Sequence, residues 1–165
     1  VPRLKNKRVY YLGIDPGKNG GLALLGASGE LVSGTSIPES PADLLEWLRE
    51  ISEEGVEVRA TIEQVGGYVG KGQPGSYMFN FGRGVGRLEM ALMACRIPTE
   101  PVVPRRWQSC FGLSKKPGES STRWKNRLKA RAQQLFPTER IILATADAML
   151  IAEYCRRRHL GLLSR

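Results

Sequence analysis

The stretch Arg8–Leu25, RVYYLGIDPGKNGGLALL, limits what this chain can fold into more than any other. Arg8–Ile14 is rich in Val, Tyr, Leu and Ile, the composition of a buried strand. It runs into Asp15, then Pro-Gly and Asn-Gly-Gly, then a second apolar run at Leu22–Leu25. Pro16 lacks the amide that a central strand needs, and the glycines accept turn conformations, so the two runs form a hairpin. Asp15 is left at the end of an apolar strand, beside a turn with few side chains. A carboxylate there is costly unless a metal ion, a basic side chain or a ring of amides meets it. Capping its own turn is the simplest fate for this aspartate; partner carboxylates elsewhere would point to a cation.

Glu30–Ser36 reads as a third strand, reached through Ala27-Ser28-Gly29, and short connections of this kind make an antiparallel meander. Ser40-Pro41 opens a helix, with Pro41 at its first position and Asp43 in its first turn. Leu44, Leu45, Trp47, Leu48 and Ile51 give that helix an apolar stripe. After Gly55, Val56–Ile62 is a fourth strand, and crossing to it through a helix sets it parallel to the first. This strand ends at Glu63, so Asp15 and Glu63 occupy like positions. If the two strands are neighbours, the carboxylates lie side by side and repel, and a divalent cation is the usual remedy.

Gly66–Gly86 is glycine-rich and reads as a long loop, with Tyr68, Tyr77, Phe79 and Phe81 among Lys71, Arg83 and Arg87. Aromatics beside basic residues suit stacking on unpaired bases with cations on phosphate. Phe79 and Phe81 serve equally well as buried anchors where the loop rejoins the fold. Gly86–Cys95 is a helix whose Met and Ala face packs on the sheet or on a second copy of the chain. Pro98–Val103 is a fifth strand, and Pro104–Trp107 begins a helical turn; Trp107 reads as a core anchor, with stacking on a base as the alternative. Ser109–Ser120 is a loop, and Thr122–Phe136 is a basic helix ended by Pro137. The last helix starts at Ala144 or Thr145 and runs to Arg158, with Asp147 in the first turn, where an acid can cap.

A net charge of +9 over 165 residues implies a polyanionic partner. Nucleic acid comes before membrane, because no long apolar span or basic amphipathic helix is present. Lys115, Lys116, Arg123, Lys125, Arg127, Lys129 and Arg131 face the single acid Glu119, although a solvated helix face has the same composition. The three cysteines and one histidine have no zinc-site spacing, which leaves reduced thiols as the expected state. The opening VPRLKNKR has no apolar core of signal-peptide type, so a cytoplasmic protein is expected. Without repeats or linkers, residues 1–165 are expected to form one domain.

Four segments carry a resemblance: GIDPGKNGG, the Ile62-Glu63 strand end, VVPRRWQ and ADAMLIAEY. In this order, from about Val9 to Tyr154, the chain resembles the RuvC-type Holliday-junction resolvases of the RNase H-like superfamily. Its compactness is similar to that of phage or divergent members. The resemblance implies an α/β fold, a mixed five-stranded sheet flanked by helices, forming one nuclease domain. It implies a Mg²⁺-dependent endonuclease, with Mn²⁺ able to substitute, that works as a homodimer and cuts two strands of a four-way DNA junction symmetrically. The chemistry implied uses two metals roughly 4 Å apart. Carried over by residue, Asp15 bridges the metals, Glu63 holds one, Asp147 holds the other, and Lys125 meets a phosphate near the cut. DNA contacts are implied for Tyr68, Lys71, Phe79, Phe81 and Arg83 at the exchange point, and for Lys115, Lys116, Arg123, Lys125 and Arg127 along the basic segment.

One position departs from the pattern. The family carries Asp or His three residues before the acid matching Asp147, and here that residue is Ala144. Residues three apart share a helix face, and Glu153 lies elsewhere on the helix, so no acid replaces the missing one. An inactivating substitution and a natural three-carboxylate site both account for this. Ala144 also keeps open an alternative, a non-cleaving branched-DNA-binding protein of the same fold. An actin-like nucleotide-binding fragment also carries an Asp near a glycine turn, but 165 residues leave no room for its second half.

Overall fold

A computed structural model describes residues 8–66 and 74–163. Along the chain these residues form β1 (Arg8–Ile14), β2 (Gly21–Leu25), β3 (Leu31–Ser36), α1 (Pro41–Ile51), β4 (Val56–Glu63), α2 (Gly75–Ala94), β5 (Thr99–Val102), α3 (Pro104–Ser109), α4 (Ser121–Leu135) and α5 (Leu143–His159). The strands make a single mixed sheet in the order β3-β2-β1-β4-β5. Tight turns leave β1–β2 and β2–β3 antiparallel, whereas the crossovers through α1 and α2 make β1–β4 and β4–β5 parallel. This is the sheet that the meander and crossover pattern predicts.

Side chains alternate across β1 and β2, so each strand feeds two apolar layers. Leu12, Ile14, Leu22 and Leu24 pack with Leu44 and Leu48 of α1 and Leu88 and Leu92 of α2. Ala23 and Leu25 pack on the other side with Trp107, Trp124, Leu128 and the apolar length of α5. Ser40 caps α1 by accepting from the Ala42 and Asp43 amides, with Pro41 at the first helical position.

Helix α5 is buried from Thr145 to Cys155 and lies directly on the backbone of β1 and β2. Glycine permits that approach. A Cβ at Gly13 would sit 2.1 Å from the Ala148 carbonyl oxygen and 2.2 Å from the Ala152 nitrogen, and one at Gly21 would sit 2.4 Å from the Ala144 carbonyl oxygen. The small side chains Ala146, Ala148 and Ala152 complete the close packing.

Two expectations are corrected. The segment expected to be a loop to Gly86 is helical from Gly75 onward. Each interior glycine costs a helix about 1 kcal/mol, which hides the pattern. The helix forms because Leu88 and Leu92 are fixed against the sheet, and extending a nucleated helix costs little per residue. Tyr68 and Lys71 lie outside the described residues. Helix α5 begins at Leu143, so Asp147 falls in the second turn and caps nothing. The remaining boundaries agree within one or two residues.

Because backbone rather than a flexible side chain opposes a methyl at position 13, Gly13→Ala should destabilise the fold by about 3 kcal/mol. Urea denaturation checks this; a loss below about 1 kcal/mol would show that α5 can retreat without cost.

Candidate active site

The register Ile14↔Ile62 between parallel β1 and β4 brings Asp15 and Glu63 out of the sheet as neighbours. Helix α5, seated on Gly13, carries Asp147 to the same place, and α4 supplies Lys125. Each acid has a fixed partner. Asp15 Oδ1 accepts from the Gly17 amide at 3.1 Å, so it does cap its own turn. Glu63 Oε2 accepts from Trp107 Nε1 at 2.7 Å. Asp147 Oδ2 pairs with the Lys125 ammonium, while Asp147 Oδ1 is buried with no hydrogen-bond partner.

The four side chains feel one another's charge. Burial first, then repulsion from Asp15 and more weakly from Asp147, pushes Glu63 up to about 7, against the pull of Trp107 and Lys125. Burial likewise pushes Asp147 up, opposed by Lys125 and reinforced by Asp15. For Lys125, burial pulls the ammonium down, but attraction to Asp147, then Asp15 and Glu63, outweighs it and holds the group above its ordinary value. Three acids from three separate elements therefore share one crevice with one base.

Among the described residues no three His, Cys, Asp or Glu side chains stand close enough together to hold one ion. The acids share a crevice without closing into a ligand cluster, and Lys125 is the cation that meets Asp147. The donor set nevertheless fits a hard divalent cation: all donors are carboxylate oxygens, one is buried and unpartnered, and one acid is driven toward its neutral form by burial and then by its acidic neighbours. Ala144 stands one turn before Asp147 on α5 and offers only a methyl group. Glu153 does not replace it, because Arg156 holds it at 2.8 and 3.0 Å and Arg157 at 2.6 Å.

The residues expected to meet DNA fall into two groups. Phe79 is 65% exposed on α2 with the Arg83 guanidinium 5.6 Å from its ring, and Lys115, Lys116 and Arg123 are exposed. Phe81 is half-buried on the inner side of α2. Arg127 is committed within the chain: its Nη1 donates to Glu119 at 2.9 and 3.1 Å and to the Ser114 carbonyl at 3.1 Å, and its guanidinium covers Trp124. It braces the loop before α4.

Trp107 is the residue whose role the sequence does not disclose. It is fully buried, as expected of a core anchor, yet its indole also orients Glu63. Its place just after β5 is the available signal, since Val102 of β5 is the register partner of Glu63.

Strand order, the mixed pairing and the helices on both faces define the RNase H-like fold. Two similar solved structures are of Thermus thermophilus RuvC. One, in complex with Holliday junction substrate, superposes with a TM-score of 0.61 at 16% identity, over 94% of this chain and 98% of that one. The other, of RuvC itself, gives 0.58 at the same identity and coverage. No protein-family model matches the sequence, and no curated protein does. Among the described residues no helix is long and apolar enough to cross a membrane.

The raised Glu63 value has a thermodynamic sign. The folded protein keeps a proton that the unfolded chain releases from the ordinary carboxylate range upward. The stability this contributes is therefore present at low pH and lost as pH rises toward about 7. Without divalent ions, Glu63→Gln should melt several degrees above the parent at about pH 8, and the difference should vanish near pH 4. Parallel melting curves across that range would show that Glu63 carries no such load.

Proposed function

We propose that this protein is a metal-dependent endonuclease that binds four-way DNA junctions and cuts two strands symmetrically as a homodimer. The observation that carries this reading is the shared crevice of Asp15, Glu63 and Asp147 with Lys125, at the end of two parallel strands in a fold shared with Thermus thermophilus RuvC. Asp15, Glu63 and Asp147 would have to draw closer together, and Asp147 to release Lys125, to hold Mg²⁺, or Mn²⁺ in its place. When bound, the cation supplies Lewis-acid charge against the scissile phosphate. Trp107 and the Gly17 amide keep Glu63 and Asp15 in orientation without using both oxygens of either acid. Lys125, whose side chain is half exposed, can turn its ammonium from Asp147 to a phosphate. The net charge of +9 supports a DNA partner, and exposed Lys115, Lys116, Arg123, Phe79 and Arg83 supply cations and a stacking ring.

The exposed apolar stripe on α2 supports pairing of two copies. Met90 and Met93 lie one turn apart and are 64% and 69% exposed. Three free cysteines support a reducing compartment, the cytoplasm. A Met90→Glu, Met93→Glu double variant should be monomeric by analytical ultracentrifugation at micromolar concentration, where the parent is dimeric. A monomeric parent, alone and on junction DNA, would remove this face from the assembly.

Ala144 favours a second reading, a junction-binding protein that no longer cuts. The same experiment tests both. With a synthetic junction and Mg²⁺, Ala144→Asp should raise cleavage by about a hundredfold or more and leave affinity within a few-fold, because the restored carboxylate acts mainly in the transition state. Adding Asp15→Asn should abolish the gain. Brisk cutting by the parent would discard the missing-ligand account; no cutting by Ala144→Asp, despite tight junction binding, would favour the non-cleaving reading.

A further inference from the structure

An ion pair occupies the place in the carboxylate crevice that a divalent cation would need: the Lys125 ammonium on Asp147 Oδ2. The two partners differ in freedom. Asp147 belongs to the run of α5 buried from Thr145 to Cys155, and its side chain is 6% exposed. Lys125 has a side chain 48% exposed, on a helix whose grip on the core comes from Trp124, Leu128 and Ala132. An ammonium on a flexible four-carbon stem can therefore swing away while α4 stays where it is.

No other group among the described residues serves Asp147. Its Oδ1 is buried without a hydrogen-bond partner, and Ala144, one turn earlier on α5, offers no second acid. Asp15 and Glu63 attract the same ammonium, so one mobile cation answers three acids from three elements. With that ammonium in place, no three acidic side chains among the described residues close on one point.

A divalent ion has to compete with Lys125, since two cations against one carboxylate repel each other. The lysine has the advantage of its tether: a group on a short flexible stem is present at an effective concentration of about millimolar. Any group that takes the ammonium in exchange removes the competitor. A backbone phosphate is such a group, because lysine meets phosphate as a point charge, just as it meets a carboxylate.

We propose that Lys125 is the resident counter-ion of the crevice: it keeps divalent ions off Asp147 until a DNA phosphate draws the ammonium away. Metal and DNA then bind with positive coupling, and by linkage each strengthens the other by the same factor. The inference rests on the nuclease reading in one respect, that DNA brings a phosphate to Lys125.

Binding, not cleavage, is the readout. Mn²⁺ uptake by the full chain is followed by electron paramagnetic resonance of the free ion, with and without a four-way junction, and with the junction alone as blank. Lys125→Met keeps an unbranched stem and removes the charge, and Lys125→Gln also keeps a donor for Asp147. Without DNA, both variants should bind Mn²⁺ about tenfold more tightly than the parent. The junction should strengthen Mn²⁺ binding by the parent about tenfold, and by either variant no more than about twofold. Adding Asp147→Asn to Lys125→Met should cancel the gain, because the ion then has lost that acid. Melting gives a second readout. Lys125→Met leaves a buried carboxylate unpaired, so it should melt below the parent in metal-free buffer and gain more from added Mn²⁺.

Variants that bind Mn²⁺ no better than the parent, or that gain as much from the junction as the parent does, overturn the proposal. If that result comes with junction cleavage by Ala144→Asp, the nuclease reading stands without the counter-ion. If the variants gain Mn²⁺ affinity while the junction leaves the parent's unchanged, the coupling is overturned and DNA does not reach Lys125. If no variant takes up Mn²⁺, with or without the junction, the proposal and the nuclease reading fall together.

Discussion

The parallel pairing of β1 with β4, in the register Ile14↔Ile62, obliges Asp15 and Glu63 to leave the sheet side by side. At close range in a partly buried crevice, two carboxylates repel by amounts that water would have screened. The fold adds a third acid to this pair: α5 is pressed onto Gly13 and Gly21 and delivers Asp147. It offsets the repulsion with little, one ammonium from α4 and one indole N–H from α3. Burial first, and then this repulsion, push Glu63 up to about 7. A fold whose core depends on close backbone packing thus holds a cluster of charge that the chain's own groups only partly neutralise.

Much of this arrangement was legible in the sequence because it follows short-range rules. An apolar run ending in Asp-Pro-Gly locates a strand end, and a helix between two strands makes them parallel, so the Asp15–Glu63 pairing could be derived before any contact was seen. The N-terminal half of α2 was not legible, because Gly75, Gly82, Gly84 and Gly86 dilute the helical signal. The sheet contacts of Leu88 and Leu92 that override propensity are long-range. The bond from Trp107 to Glu63 was hidden for a similar reason: a buried tryptophan is accounted for by its ring alone, and only the β4–β5 register brings its N–H to the acid. The start of α5 lies one or two residues before the expected one, since Ile142, with an extended backbone, occupies the cap position without a side-chain capping bond.

Net charge alone overstates the positive surface. Arg127 is absorbed by Glu119, the Ser114 carbonyl and the Trp124 ring, and Arg156 and Arg157 converge on buried Glu153. These guanidiniums hold loops and helix ends in place, and arginine suits that work because its planar fork satisfies several acceptors at once. The charge left for a polyanion lies on exposed side chains that form no ion pair among the described residues: Lys115, Lys116 and Arg123 near α4, and Arg83 beside exposed Phe79 on α2. These two sets lie on separate elements. Neutralising any one of them would therefore remove part of the salt-dependent affinity rather than all of it.

Ala144 takes its meaning from the same electrostatics. It lies one turn from Asp147 on α5, so an acid there would add a fourth carboxylate close to a buried one. Lys125 already faces attraction from Asp147, Asp15 and Glu63, and a single ammonium can stay within hydrogen-bonding reach of few oxygens at once. With alanine at 144, Lys125 and Trp107 offset part of the charge in the crevice, and Asp147 Oδ1 is left without a partner. With an acid at 144, the uncompensated charge would grow and the folded state would depend more strongly on an added cation. The residue that weakens a metal site on the nuclease reading is therefore also the one that limits the negative charge the fold must hold in its own crevice.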